Sequence, residues 1–150
     1  MLDRQAHQLL IRLARGFPVL ALTGPRQSGK TTLARQVFAD KPYFSFEDLE
    51  TRQRALLDPR QFFAQLEHGA VLDEVQRAPE LLSYLQGVVD ERARMGDFVI
   101  TGSQQFGLLA QITQSLAGRV GMVHLLPLSQ AELAAAALAP KTLEQAMWLG

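Results

Sequence analysis

The sequence predicts an α/β protein with a mainly parallel five-stranded sheet covered by helices on both faces, a three-layer αβα arrangement. Three observations carry this expectation. Short apolar runs alternate with longer stretches of helical periodicity along most of the chain. Strands separated by helices form βα units, and such units lie parallel with crossovers packed on the sheet. A glycine-rich turn sits where the first apolar run gives way to a helix.

The elements follow in order. Asp3 is placed to cap a first helix in which Leu9, Leu10, Leu13 and Phe17 share one face. Gly16-Phe17-Pro18 ends that helix and leads into the run Val19-Leu20-Ala21-Leu22-Thr23. Helix resumes near Lys30 and continues through Leu33, Ala34, Val37 and Phe38; Tyr43-Phe44-Ser45-Phe46 reads as the second strand. Leu49 to Leu66 reads as two short helices broken near Asp58-Pro59, because proline resists the middle of a helix and suits its first turn. Gly69-Ala70-Val71-Leu72-Asp73 is the third strand, and Pro79 opens a helix that turns Leu81, Leu82, Leu85, Val88 and Val89 toward a core. Phe98-Val99-Ile100-Thr101 is the fourth strand, followed by a helix over Leu108 to Leu116. Gly121 to Leu126 is the fifth strand, and Ser129 to Ala139 is helical, with an Ala134–Ala137 run that favours helix.

Composition narrows the class. The chain has 150 residues, enough for one ordinary domain. Its 15 basic and 15 acidic side chains cancel, which argues against a general electrostatic grip on nucleic acid or anionic lipid. There is no cysteine, so disulfides and thiolate metal sites are excluded. No long apolar stretch opens the chain, and a cytoplasmic protein is the expectation. Thr142 to Gly150, with Trp148 and Leu149, reads either as the start of further helical structure in a longer protein or as a short terminal helix folding back.

Gly24-Pro25-Arg26-Gln27-Ser28-Gly29-Lys30-Thr31 fits G-x-x-x-x-G-K-[ST] at a strand-to-helix junction. Average residue frequencies yield this pattern by chance in roughly one chain in 200 of this length, so the junction makes it specific. Glycine lets the backbone curl around phosphate oxygens, while successive amides and the positive helix end supply donors. Lys30 then addresses the β- and γ-phosphates, the Thr31 hydroxyl ligates Mg²⁺, and Thr32 closes the loop, so ATP with Mg²⁺ is the expected ligand. The bland alternative is a glycine-rich turn followed by an exposed lysine and a capping hydroxyl.

Asp73 and Glu74 close the third strand, at the edge where open α/β sheets bind ligands. Asp73 suits Mg²⁺, through a water, and Glu74 suits the attacking water; otherwise the pair merely caps the next helix. In Phe98–Gln104, if this strand lies between the first and third, Thr101, Ser103 or Gln104 is expected to hydrogen-bond the γ-phosphate or the attacking water. Ser103 is the preferred sensor, with a helix cap as its alternative. Arg119 reaches a phosphate in its own chain or across a subunit interface of a homo-oligomer, or is simply a solvated residue at an element boundary. His7, His68 and His124 have no metal-ligand spacing. Arg52, Arg54, Arg60 and Arg77 form a partner surface or, among acidic neighbours, a solvated face. Phe44, Phe46, Phe62 and Phe63 fill a core.

Taken together, Leu22–Leu33, Val71–Pro79, Ile100–Ser103, Ser115–Arg119 and Leu126–Leu133 resemble, in this order, AAA-type P-loop ATPases of bacteria and archaea whose ATPase domain precedes a DUF4143 domain. The resemblance covers nearly the whole chain, which corresponds to the N-terminal ATPase domain, with the usual C-terminal portion absent. It implies phosphate and Mg²⁺ binding by Lys30 and Thr31, and the acidic motif at Asp73 and Glu74. Gln27 matches the family's loop glutamine, whereas Ser28 stands where an aliphatic residue is usual. The function expected is Mg²⁺-dependent ATP hydrolysis coupled to a protein or nucleic acid partner. A nucleotide-gated scaffold with little turnover and a small-molecule phosphotransferase are its rivals.

Overall fold

The computed structural model describes residues 4–25, 29–103 and 106–125. Its elements are α1 (Arg4–Gly16), β1 (Val19–Thr23), α2 (Lys30–Val37), β2 (Tyr43–Ser45), α3 (Leu49–Leu57), α4 (Pro59–Ala64), β3 (Ala70–Asp73), α5 (Leu81–Arg92), β4 (Phe98–Gly102), α6 (Phe106–Ser115) and β5 (Val120–His124). A 3-10 turn, Val75–Arg77, links β3 to α5.

The strands form one sheet in the order β2-β3-β4-β1-β5, and every pairing is parallel. Parallel pairing puts all five C-terminal strand ends on one edge, so Thr23, Ser45, Asp73, Gly102 and His124 converge there. β4 lies between β1 and β3, the arrangement on which a role for its C-terminal end depended.

Strand residues alternate between faces. Leu20, Leu22, Val71, Val99 and Val123 face a cluster with Leu10 of α1 and with Leu33, Ala34 and Phe38 of the α2 region. Val19, Ala21, Leu72, Phe98 and Ile100 face the opposite cluster, built from Ala55, Phe62, Phe63, Leu82, Leu85, Ile112 and other residues of α3 to α6. Helices therefore cover both faces, and the expected three layers are present. On the second face, Phe63 meets Phe62 and Phe98 edge-on, with centroids 5.4 and 5.7 Å apart. Phe44, Phe46, Phe62 and Phe63 all join this packing, as their sequence pattern indicated.

The break at Asp58-Pro59 has a local cause. Asp58 caps α4 by accepting the Gln61 N–H at 3.2 Å, and Pro59 occupies the first turn, where it forfeits no helical bond. Asp48 caps α3 in the same way through the Thr51 N–H at 3.0 Å. Element ends differ from expectation by a few residues. α5 starts at Leu81, after tight turns in which the Leu81 N–H donates to the Ala78 carbonyl and the Leu82 N–H to the Pro79 carbonyl. β2 stops at Ser45, α6 spans Phe106–Ser115, and β5 starts at Val120. The Asp3 cap and the helices expected over 129–139 and 142–150 lie outside the described residues. Among the described residues, no helix is long and apolar enough to cross a membrane.

Candidate active site

Face alternation decides which side chains meet at the C-terminal edge. Asp73 lies two residues beyond Val71, and Thr101 two beyond Val99, so both point to the face covered by α2. α2 begins directly after the glycine-rich loop, which places Thr31 in its first turn, over these strands. Thr31 Oγ1 donates to Asp73 Oδ1 at 2.9 Å. Thr101 Oγ1 donates to the same oxygen and accepts the Glu74 N–H at 3.1 Å.

A further donor was not anticipated. Tyr43, beside Val71 in the β2–β3 register, donates its phenol to Asp73 Oδ2 at 2.6 Å. The Arg35 guanidinium lies 4.4 Å from the centre of the Tyr43 ring and steadies it from α2. Burial first, and then donation to Asp73, push the Tyr43 phenol from 10.0 up to about 12. Stability from this contact is therefore complete below about pH 10 and is lost as pH rises through about 12. Tyr43→Phe should lack that alkaline component. Chemical denaturation of both proteins across the same window checks this, and stability curves that fall in parallel would remove the assignment.

Lys30 opens α2 and folds back over the loop, where its ammonium donates to the Pro25 carbonyl at 3.3 Å. It is only 4% exposed, so its charge is held inside the loop and not in bulk water. Gly29 precedes it with φ 84, a left-handed conformation that favours glycine, and among the described residues no side-chain cap is seen there. Gly29 has no side chain to offer the first amides of α2, and a helix N-terminus without such a cap suits an anion. Gly24 N–H donates to the Gly102 carbonyl at 3.3 Å, tying the loop's start to the end of β4. Thr32 follows Thr31 in the first turn; Arg26, Gln27 and Ser28 lie outside the described residues.

Glu74 is buried and left-handed, at φ 58 and ψ 53. For a residue with a β-carbon this costs on the order of 1–2 kcal/mol, a strain that functional sites frequently retain. The turn brings Gln76 back over it, and Gln76 Nε2 donates to Glu74 Oε1 at 2.6 Å. Ser103 donates its N–H to Gln76 Oε1 at 3.3 Å, while its own Oγ is buried with no hydrogen-bond partner among the described residues. Gln104 lies outside them.

The structure thus brings together Gly24, Pro25, Gly29, Lys30, Thr31, Asp73, Glu74 and Ser103. It does not bring Arg119. Val19 pairs with Val120 and Thr23 with His124, so Arg119 precedes β5 at the opposite edge of the sheet. At about 3.3 Å per residue, the length of β1 puts on the order of 13 Å between the two edges. Arg119 is instead engaged by the Asp90 carboxylate of α5, Nε to Oδ1 at 2.5 Å and a second nitrogen to Oδ2 at 2.9 Å. This partner holds the guanidinium pKa above, and the Asp90 carboxyl pKa below, their ordinary values. A role for Arg119 at its own chain's phosphate site is therefore corrected.

Two other residues have local partners. Arg52 donates to the Phe46 carbonyl at 3.1 Å. His124 lies 3.2 Å from Thr23 Oγ1, in hydrogen-bond contact across the β1–β5 pairing.

The donors around Thr31 and Asp73 are hard oxygens, a hydroxyl and a carboxylate, and their chemistry fits magnesium. These groups gather on the C-terminal edge of a parallel sheet that helices cover on both faces. Residues 16–134 match the family described as AAA domain, and the chain belongs to that family. It is 40% identical over 124 residues to uncharacterized proteins of Mycobacterium bovis and Mycobacterium tuberculosis, covering 81% of this chain. The match spans 28% of the length of those relatives.

Two solved structures share the fold. A DNA replication initiation factor superposes with a TM-score of 0.57 at 14% identity, covering 95% of this chain and 51% of that one. A Walker-type ATPase of Pyrococcus abyssi gives 0.57 at 15% identity, covering 97% and 62%. At such identities the likeness concerns the fold alone.

Proposed function

We propose that this chain binds ATP with Mg²⁺ and hydrolyses it, and that turnover is coupled to a protein or nucleic acid partner. The observation that carries the reading is the meeting of Thr31 and Asp73 at 2.9 Å beside the loop that holds Lys30. Loop amides, the α2 N-terminus and Lys30 hold the triphosphate, with Gly24 to Thr32 forming the cradle. Thr31 and Asp73 hold Mg²⁺, Asp73 through a water. Held there, Mg²⁺ would supply positive charge to offset the negative charge of the triphosphate.

Hydrolysis then needs a positioned water. Its oxygen forms a bond to the γ-phosphorus as the bond to the β–γ bridging oxygen breaks, releasing ADP and phosphate. Glu74 orients that water and accepts its proton. In this reading Ser103 senses the γ-phosphate, which its buried hydroxyl, without a hydrogen-bond partner among the described residues, supports. Placement and charge stabilisation carry the acceleration.

The test is ATP binding and phosphate release with Mg²⁺ and with chelator. Asp73→Ala should weaken Mg²⁺-dependent ATP binding by about 10- to 100-fold. Because Asp73 also anchors Thr31, Tyr43 and Thr101, Asp73→Asn serves as the gentler variant. ATP affinity that is indifferent to chelator in the parent, or unchanged in both folded variants, would sink the metal assignment.

A further inference from the structure

Gln76 was unassigned by sequence reasoning, yet its side chain spans two parts of the site. One end donates to the Glu74 carboxylate at 2.6 Å; the other accepts the Ser103 N–H at 3.3 Å. These partners fix the orientation of the amide. A carboxylate can only accept and a backbone N–H can only donate, so neither contact survives a flip.

Local geometry is built around this bridge. The left-handed Glu74 reverses the chain, and the Val75–Arg77 turn returns residue 76 to the side of residue 74. Gly102 leaves room at the other end: a β-carbon there would lie 2.9 Å from Gln76 Oε1 and 2.5 Å from Leu108 Cδ2. Beside the bridge, Ser103 Oγ is buried without a hydrogen-bond partner among the described residues. The end of β4 therefore presents a hydroxyl with no partner among the described residues; Thr101 meets the Glu74 backbone N–H, while the Glu74 carboxylate is joined to the Ser103 backbone through the Gln76 side chain.

We propose that Gln76 is a positioning residue which couples the phosphate-facing end of β4 to the water-orienting carboxylate of Glu74. The inference rests on the hydrolytic reading above and adds to it the residue that sets where Glu74 points. A γ-phosphate that engages Ser103 displaces the segment donating to Gln76, and the same side chain transmits the displacement to Glu74. Ground-state nucleotide binding does not pass through Gln76, because it belongs to the loop, Lys30 and Thr31.

Two substitutions in the intact natural protein separate the ends of the bridge. Gln76→Met keeps the length and removes both contacts. Gln76→Glu keeps an acceptor for Ser103 but sets a like charge against Glu74. Both should lower kcat by about 10- to 100-fold, with KM and Mg²⁺-dependent ATP affinity within about twofold of the parent.

In a Glu74→Gln background, Gln76→Met should produce no further loss, since the group it positions is already gone. A merely structural residue would instead lower the thermal midpoint and multiply its effect with that of Glu74→Gln. Unchanged kcat in folded Gln76→Met, a loss confined to ATP affinity, or multiplicative effects would each overturn the proposal. If Glu74→Gln alone retains full turnover, the hydrolytic reading and this inference fall together. If Glu74→Gln is impaired and Gln76→Met is not, only this inference falls.

Discussion

Lys30→Ala is expected to weaken ATP binding by about 100-fold or more while the chain remains folded. The ammonium is nearly buried and lies against the loop carbonyl of Pro25, at the start of α2. Hydrogen bonds to charged groups contribute about 1.5–3 kcal/mol each, and about 2.7 kcal/mol corresponds to 100-fold in affinity. The folded state should tolerate the change, since alanine is the most favourable helix residue. The truncation does leave the Pro25 carbonyl without this donor. Titration with ATP, with thermal melting as the folding control, tests both halves of the expectation. Equal affinity of folded parent and variant would remove Lys30 from the phosphate site.

Glu74→Gln should separate binding from chemistry. Its ATP affinity should stay near that of the parent, while steady-state phosphate release falls by about 10²- to 10⁴-fold, the range of a positioned general base. Glutamine matches the shape of glutamate and still offers Gln76 Nε2 an acceptor oxygen. The change therefore removes charge and proton affinity and little else. Undiminished phosphate release by the folded variant would withdraw the catalytic role. The contrast with Asp73 is informative because the carboxylates are adjacent but point into different networks. Asp73 meets three hydroxyls, whereas Glu74 meets an amide.

The strands were legible because a sheet covered on both faces needs continuous apolar runs, and Val19–Leu22 and Phe98–Ile100 supply them. The α3–α4 break was legible because aspartate and proline act locally, through a cap and a fixed backbone angle. The junction of β1 and α2 was legible for the same reason, since the glycines and lysine that mark it are neighbours in sequence.

What joins Tyr43 to Asp73 is different in kind. The contact depends on β2 pairing with β3, and strand order is a property of the whole chain that no local pattern encodes. The distance of Arg119 from its own chain's Lys30 and Thr31 was hidden for a related reason. Its position before a strand was evident, but only the parallel register shows which edge that strand start occupies. Gln76 was overlooked because its reach depends on the left-handed backbone at Glu74, a conformation glutamate rarely announces.

The triad of hydroxyls on Asp73 has a consequence that follows from counting lone pairs. A carboxylate offers about four acceptor positions, and Thr31, Tyr43 and Thr101 between them occupy three. Among the described residues one direction of approach is left, so a water held between Asp73 and a metal in the proposed site would have its orientation chosen by subtraction. Thr31 has one hydrogen and two lone pairs, and it can continue donating to Asp73 while its oxygen turns toward a cation. Cation entry would then require no hydrogen bond to be given up, and the arrangement held before loading is one that loading can keep.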